Sequence, residues 1–351
     1  MFMRALVGLF LLVPLLCTAA ASTQRDSLPT QPDDGKIHLD VVVTPKSGPP
    51  VTGLRQEDFT ILDNNVPRTI TSFRALDRRK AHVEVILVVD AVNIAYINLV
   101  NERQGIDRFL RAEGGHLAQP MAVAIFTDKG LQFLGDLSDD GNALSASLEQ
   151  QIIGIRNSNV ARSAGFYGAV DRSSLSLKVL AQLAAFEAPR PGRKVILWVS
   201  PGWPLLASPT VQIDSKQQQR IFDNIVAFST NLRQARITLY GIDPLGADDF
   251  GARTFLYEAY VKGVSKPSQI NPGNLALQVL ATQSGGLALS MSNDVASLLQ
   301  KCLSDTDAYY ELSFDPPSDA KRDEYHHLEI KLSQPGLTAR TRQGYYAQPK
   351  L

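Results

Sequence analysis

The sequence predicts an α/β protein: a doubly wound, mostly parallel sheet inserted in a small β-sandwich formed by both termini. Three observations carry this. Long apolar runs alternate with amphipathic helical patterns through the middle of the chain, and short β-branched or alternating runs crowd both of its ends. Neither terminal group has enough strands to close a stable sheet alone, since isolated two- or three-stranded units are marginal, so the two are expected to pair.

Leu39 to Thr44 is β-branched and ends in the turn signal Lys46-Ser47-Gly48-Pro49-Pro50. Phe59 to Leu62 precedes Asp63-Asn64-Asn65, and Arg68 to Phe73 alternates at period two. Three short strands with tight turns read as an antiparallel sheet over residues 37–76. From Val83 the texture changes. Val83 to Val89 ends at Asp90, Met121 to Phe126 at Thr127, Val195 to Val199 at Ser200, and Ile237 to Tyr240 leads to Asp243. Nearly continuous apolar runs suit strands buried on both faces. Between them, one helix carries Ile97, Val100, Ile106, Phe109 and Leu110, and a second runs from Phe166 to Phe186. A third opens at Asp214 as N-cap with Ile221, Ile225, Phe228 and Leu232 on one side. Strand and helix alternating over residues 80–305 give the doubly wound sheet. Strands return at Ala308 to Phe314, His327 to Leu332 and Leu337 to Tyr346, completing the sandwich over 306–349.

The 351 residues carry 35 Lys plus Arg against 35 Asp plus Glu, so there is no basic excess for a phosphate backbone, and nucleic acid is not an expected partner. Met1 to Arg4, the apolar run Ala5 to Leu16 and the small residues Thr18 to Ser22 read as a signal peptide over 1–21. A flexible polar leader follows over 22–36. No later run is apolar enough to span a bilayer, so the mature protein is expected to be exported: periplasmic, envelope-associated or secreted. Cys17 leaves with the signal, and Cys302 falls on an apolar helical stripe with Leu298 and Leu299, as a core residue does.

Several segments in order resemble the von Willebrand factor A-related proteins abundant in acidobacteria. Pro50-Val51-Thr52-Gly53-Leu54, Glu57-Asp58-Phe59-Thr60 and Ile70-Thr71-Ser72-Phe73 look like that family's opening. Arg193 to Ser200 is similar to its central strand, and Arg342-Gln343-Gly344-Tyr345-Tyr346-Ala347 resembles its ending. The resemblance covers Leu39 to Pro349. It implies a von Willebrand A-type fold flanked by β-structure in an exported protein.

It also implies a metal-ion-dependent adhesion site, with an Asp at the end of the first strand, hydroxyls two and four positions later, a loop Thr, and a second Asp after the central strand. Those oxygens hold magnesium, which leaves one position for an acidic group of the partner. Here Asp90 is followed by Val92 and Ile94, and Pro201 follows Ser200 where the second Asp is expected. The adhesion site is therefore degenerate. Three roles stay open for Asp90: a weak magnesium ligand helped by Asn93 or Ser200, a cap on the next helix, or part of a metal-free protein-binding edge. That edge would use Asp90, Asn93, Thr127, Asp128, Ser200 and an exposed Trp203. The loop from Leu245 to Pro272 is a second candidate surface.

A serine hydrolase is the alternative in another class, because Ser200, Asp243 and His326 or His327 follow the chain order of α/β-hydrolases. Trp198-Val199-Ser200-Pro201-Gly202 lacks the first Gly of a nucleophile elbow, and Pro201 has no N–H to offer an oxyanion hole. The two histidines are expected at an edge of the terminal β-structure. Walker A, dinucleotide and zinc-protease motifs are absent from the sequence. One Tyr of each pair, Tyr309-Tyr310 and Tyr345-Tyr346, is expected in a core. The function expected is binding of a protein partner, with no catalysis and no firmly held cofactor. A passive structural envelope role is the third possibility.

Overall fold

The computed structural model describes residues 34–78, 80–154, 165–204, 213–246, 257–290 and 292–349. The signal peptide and most of the leader lie outside the described residues, as does 247–256 of the candidate loop.

The central sheet is mostly parallel. Its strands are β5 (Val83–Asp90), β6 (His116–Thr127), β7 (Gly130–Phe133), β8 (Ser138–Asp140), β9 (Arg193–Val199), β10 (Ile237–Ile242) and β11 (Ala288–Leu289). They lie in the order β11-β10-β9-β5-β6-β7, with β8 also on β6. Only β7 and β8 run antiparallel to their neighbour. Alternate residues serve opposite faces. Val85, Leu87, Val89, Leu197 and Val199 pack under α1 (Tyr96–Leu110), α2 (Gly141–Gly154) and α6 (Val295–Leu303). Ile86, Val88, Ile196 and Trp198 pack under α3 (Gly165–Glu187), α4 (Ser215–Gln234) and α5 (Leu277–Gln283). Both faces are covered, which is why these strands read as unbroken apolar runs. Asp214 caps α4: it accepts from the Gln217 N–H at 2.8 Å while Gln217 reaches back to the Asp214 N–H.

Two antiparallel four-stranded sheets flank this body. β1 (Ile37–Pro45) lies between β14 (Leu337–Arg340) and β12 (Ala308–Phe314), with β4 (Ser72–Asp77) outside β12. β13 (Tyr325–Leu332) lies between β15 (Gly344–Tyr346) and β2 (Phe59–Asp63), with β3 (Val66–Arg68) outside β2. Each sheet therefore mixes strands from both ends of the chain. Leu39, Val41, Phe59, Ile61, Phe314 and Tyr345 share one apolar core between the two.

The structure corrects several readings of the pattern. The N-terminal strands do not form one sheet, because β1 belongs to one flanking sheet and β2 and β3 to the other. Arg68 to Phe73 is a crossover between them, and only its two ends are strand. His326 is not at an edge: β13 is paired on both sides, and the buried ring bonds Asp63 through Nδ1 at 2.7 Å and stacks on Tyr345. Both tyrosines of each pair are buried. Tyr310 and Tyr345 face the flanking core, whereas Tyr309 and Tyr346 face the central one. Ile97 is 67% exposed, because nine residues at 100° per residue put it opposite Ile106, outside the buried stripe.

Polar groups lock the flanking sheets to the body. The Arg236 guanidinium, just before β10, bridges Asp40 of β1 and Glu311 of β12. Tyr240 donates to Asp305 at 2.6 Å, and Arg340 of β14 pairs with the same carboxylate. Burial pushes the Asp40 carboxyl up, but the Arg236 and Arg193 charges outweigh it and hold Asp40 below its ordinary range. Arg236→Ala would leave two part-buried carboxylates facing each other across β1 and β12. The expected outcome is a loss of about 3–5 kcal/mol in urea unfolding, against under about 1 kcal/mol for Arg74→Ala, whose side chain pairs with Glu311 from solvent.

Candidate functional site

Register brings the carboxyl ends of the central strands into one row. Ile242, Val199 and Val89 are neighbours across β10, β9 and β5, so Asp243, Ser200 and Asp90 come next to one another one residue later. Asp90 itself pairs with Phe126 of β6. β5 leads to α1 on one face and β9 to α4 on the other, so the chain reverses its direction of winding between Asp90 and Ser200. In open α/β sheets that reversal is where the ligand crevice opens.

Asp90 is fully buried and saturated. One carboxylate oxygen accepts the Val92 and Asn93 N–H groups at 2.9 and 3.0 Å, and the other accepts Asn93 Nδ2 at 2.8 Å and Trp198 Nε1 at 3.0 Å. Burial raises its pKa, with the four hydrogen bonds pulling against the shift. It is not a helix cap. α1 begins six residues later with Ala95 at its N-cap, and the N–H groups on Asp90 belong to the turn in between.

The adhesion-site resemblance implies magnesium at this position, and the residues do not fit it. Four protein donors already occupy the Asp90 oxygens, and the side chains two and four positions on, Val92 and Ile94, are buried hydrocarbon. Among the described residues no group of three or more His, Cys, Asp or Glu is placed to hold a metal ion. A hard divalent cation binds through carboxylate oxygens and waters, and the Asp90 oxygens that would serve it already accept four N–H groups.

The other sequence candidates separate. Asn93 stays at the crevice, where its Nδ2 also donates to Ser176 of α3 at 3.0 Å. Ser200 is buried, and its Oγ accepts the Gly202 N–H at 3.2 Å. Thr127 and Asp128 sit one strand further on, at the β6–β7 turn, where Thr127 Oγ1 accepts the Lys129 N–H at 3.2 Å. Trp203 is not exposed. It is 3% accessible and packs edge-on against Trp198 with centroids 5.3 Å apart, so it supports the Asp90 indole partner from below. The described part of the Leu245 to Pro272 stretch also packs inward: Val264 and Ile270 join the central core, and Tyr346 donates to the Val264 carbonyl at 2.9 Å.

An open cleft lies beside Asp90, between α1 and the loops after β9, β10 and β11. This cleft is lined by Asn93, Asn98, Glu102, Leu245, Asn293 and Val295, among others. Glu102 is the residue that the sequence reading missed. It lies on the buried stripe of α1 with Leu99 and Ile106, is 2% exposed, and neither carboxyl oxygen has a hydrogen-bond partner among the described residues. Burial, and then the Asp90 and Asp243 charges, push its pKa well above the ordinary value of 4.5. A charged residue on an apolar stripe was the available signal. α1 is held close to α6 at Gly105, where a Cβ would come within 2.7 Å of Val295 Cβ, and this contact fixes the wall that carries Glu102.

No protein-family model matches the chain, and no curated protein matches it. Solved structures similar to it include manganese-loaded TRAP protein of Plasmodium vivax, at 10% identity, 79% of this chain, 98% of that one and TM-score 0.33. The von Willebrand A domain of SpRpn10 is similar at 11% identity, 64% of this chain, 97% of that one and TM-score 0.27. Proximal thread matrix protein 1 from the mussel byssus is similar at 14% identity, 64% of this chain and TM-score 0.32, and the chain spans 47% of that protein's length.

Three outcomes are expected. Asp90→Ala strands the Trp198 indole N–H and the Asn93 amide in the core and lowers stability by about 2–4 kcal/mol in urea unfolding. Millimolar magnesium, manganese or calcium leaves the wild-type melting temperature where EDTA does; a cation-dependent rise that Asp90→Ala abolishes would show a working metal site. For Glu102 the folded pKa is raised, so its contribution to stability is complete below about pH 4.5. As pH rises the unfolded chain ionises first, and stability falls by about 1.4 kcal/mol per pH unit until the folded carboxyl also ionises. Urea midpoints from pH 4 to 8 should therefore diverge, with Glu102→Gln increasingly the more stable.

Proposed function

We propose that this is an exported, non-enzymatic protein-binding module of von Willebrand A type, set in a β-sandwich built by both chain ends. It contacts a protein partner at the carboxyl edge of its central sheet without a metal ion. The observation that carries the reading is the cleft at the chain reversal beside Asp90, lined by amides and a buried acid and bordered by exposed Tyr96 and Ile97 on the first turn of α1. Exposed apolar side chains next to a polar cleft suit a protein surface better than a small metabolite. Asn93 belongs to the contact. Asp90, Ser200 and Trp203 shape the edge from beneath, and Thr127 and Asp128 extend it toward β7.

The chemistry here favours binding over hydrolysis. His326 is committed to Asp63 inside the flanking core, and His327 is exposed on the other face of β13. Pro201 leaves no N–H after Ser200 for an oxyanion. No helix among the described residues is long and apolar enough to cross a membrane. Export rests on the signal peptide read over 1–21.

The test uses the full mature chain as bait on envelope and secreted fractions of its own cells. Asn101→Trp in the cleft lining and Ile97→Glu one helical turn before it are expected to lose a partner that the wild type retains. Lys216→Glu at the start of α4 and Lys331→Glu on β13 should keep it. Equal capture by all four variants would move the binding face elsewhere.

A further inference from the structure

We infer that the cleft beside Asp90 accepts a basic side chain, lysine or arginine, presented by the protein partner. The edge would then work with the reverse polarity of the metal-bridged acidic group that the adhesion-site resemblance implies. The inference rests on the reading of this edge as the partner face, and it names the chemistry that the face selects.

Three side-chain oxygens at this one cleft have no hydrogen-bond partner among the described residues: Oε1 and Oε2 of Glu102 and Oδ1 of Asn93. A buried acceptor without a partner costs about 1–3 kcal/mol, more when charged, so three together mark a place where donors are missing. The missing donors should also bring positive charge. Asp90 and Asp243 lie close enough to raise the Glu102 pKa by their charge, and among the described residues none of the side chains lining the cleft is basic. Asn98, Asn101 and Asn293 add amide oxygens around it. A guanidinium or ammonium supplies several N–H donors and the neutralising charge at once.

The shape agrees with a long side chain. Ile94, Leu245 and Val295 also line the cleft, and the methylene stem of Lys or Arg packs on such surface while its charged head reaches further in. Tyr96 and Ile97 stand at the adjoining surface, where the rest of a partner would lie. Among the described residues no group of three or more His, Cys, Asp or Glu is placed to hold a divalent ion, whereas a single basic side chain needs only the oxygens named above.

The experiment is a calorimetric titration of the full mature chain in EDTA with four blocked tripeptides, glycine-X-glycine, where X is lysine, arginine, norleucine or glutamate. The lysine and arginine peptides are expected to bind, with norleucine at least tenfold weaker and glutamate silent even when magnesium replaces EDTA. Glu102→Gln, nearly isosteric, should weaken the basic peptides at least tenfold and leave the norleucine peptide unchanged. Asn293→Lys, an exposed position on the opposite wall, should weaken them too, by putting a competing charge in the cleft without disturbing the core. The inference is overturned if the basic peptides fail to bind the wild type at 10 mM. It is equally overturned if norleucine binds as tightly, if both variants bind like wild type, or if glutamate binds with magnesium. If it falls while Ile97→Glu and Asn101→Trp still lose the partner, the edge remains the contact face and only its charge preference was wrong. If those two variants keep the partner, the face itself was misplaced.

Discussion

A carboxylate buried at the end of β5 is the constraint from which the edge of this molecule follows. Asp90 has no water to solvate it, so each of its oxygens must be met by protein donors. The donors come from three places: the turn after β5, the Asn93 amide and the Trp198 indole of the neighbouring strand. Satisfying them fixes the turn. The turn sets where α1 begins, and α1 sets the position of Glu102. Trp203 backs Trp198 so that the indole N–H stays aimed. The resulting edge is preorganised by hydrogen bonds within the chain.

A second constraint acts at the other face of the molecule, where β12 and β15 are buried on both sides. In an ordinary flanking sheet one face would meet water and the residues would alternate polar and apolar. Here Tyr309 and Tyr310 point into different cores, as do Tyr346 and Tyr345. Strands from both ends of the chain are thereby tied to the central body, and the polar groups that this traps are paired off by Arg236, Arg340 and Arg193. Arg193 donates to the Asp305 carbonyl at 3.0 Å and lies over the Tyr309 ring. Such buried pairs contribute little net stability but are costly to break, so they act as locks on the relative placement of the sheets.

The central strands were legible in the sequence because burial on both faces leaves an unbroken apolar run, and α4 was legible because its capping residues are local. The place of Asp90 at the carboxyl end of a strand was legible too, since strand ends and their following polar residues can be read in order, whereas the chain reversal beside it needs the sheet order. What could not be read was set by distant partners. Arg68 to Phe73 has one alternating pattern yet serves two sheets, because its neighbours β2 and β12 come from opposite ends of the chain. Trp203 looks like a loop residue until Trp198 and the fold of the turn bury it. Ile97 fits an apolar count for α1 but lies on the wrong side of it, and angle rather than count decides burial.

Glu102 shows most clearly how an angular reading bears on function. On the apolar α1 stripe a leucine is the ordinary occupant, whereas a carboxyl group there loses its hydration and finds no donor among the described residues. Next to Asp90 and Asp243 it is penalised again for its charge. Both penalties fall if a cation enters the cleft, since the same group then gains donors and a counter-charge. Within the folded chain Glu102 is a defect; within a complex with a basic partner it becomes a specific contact. Asp90 and Glu102 thus divide the work of the edge, because the saturated carboxylate builds the wall and the unsatisfied one is left to recognise what docks against it.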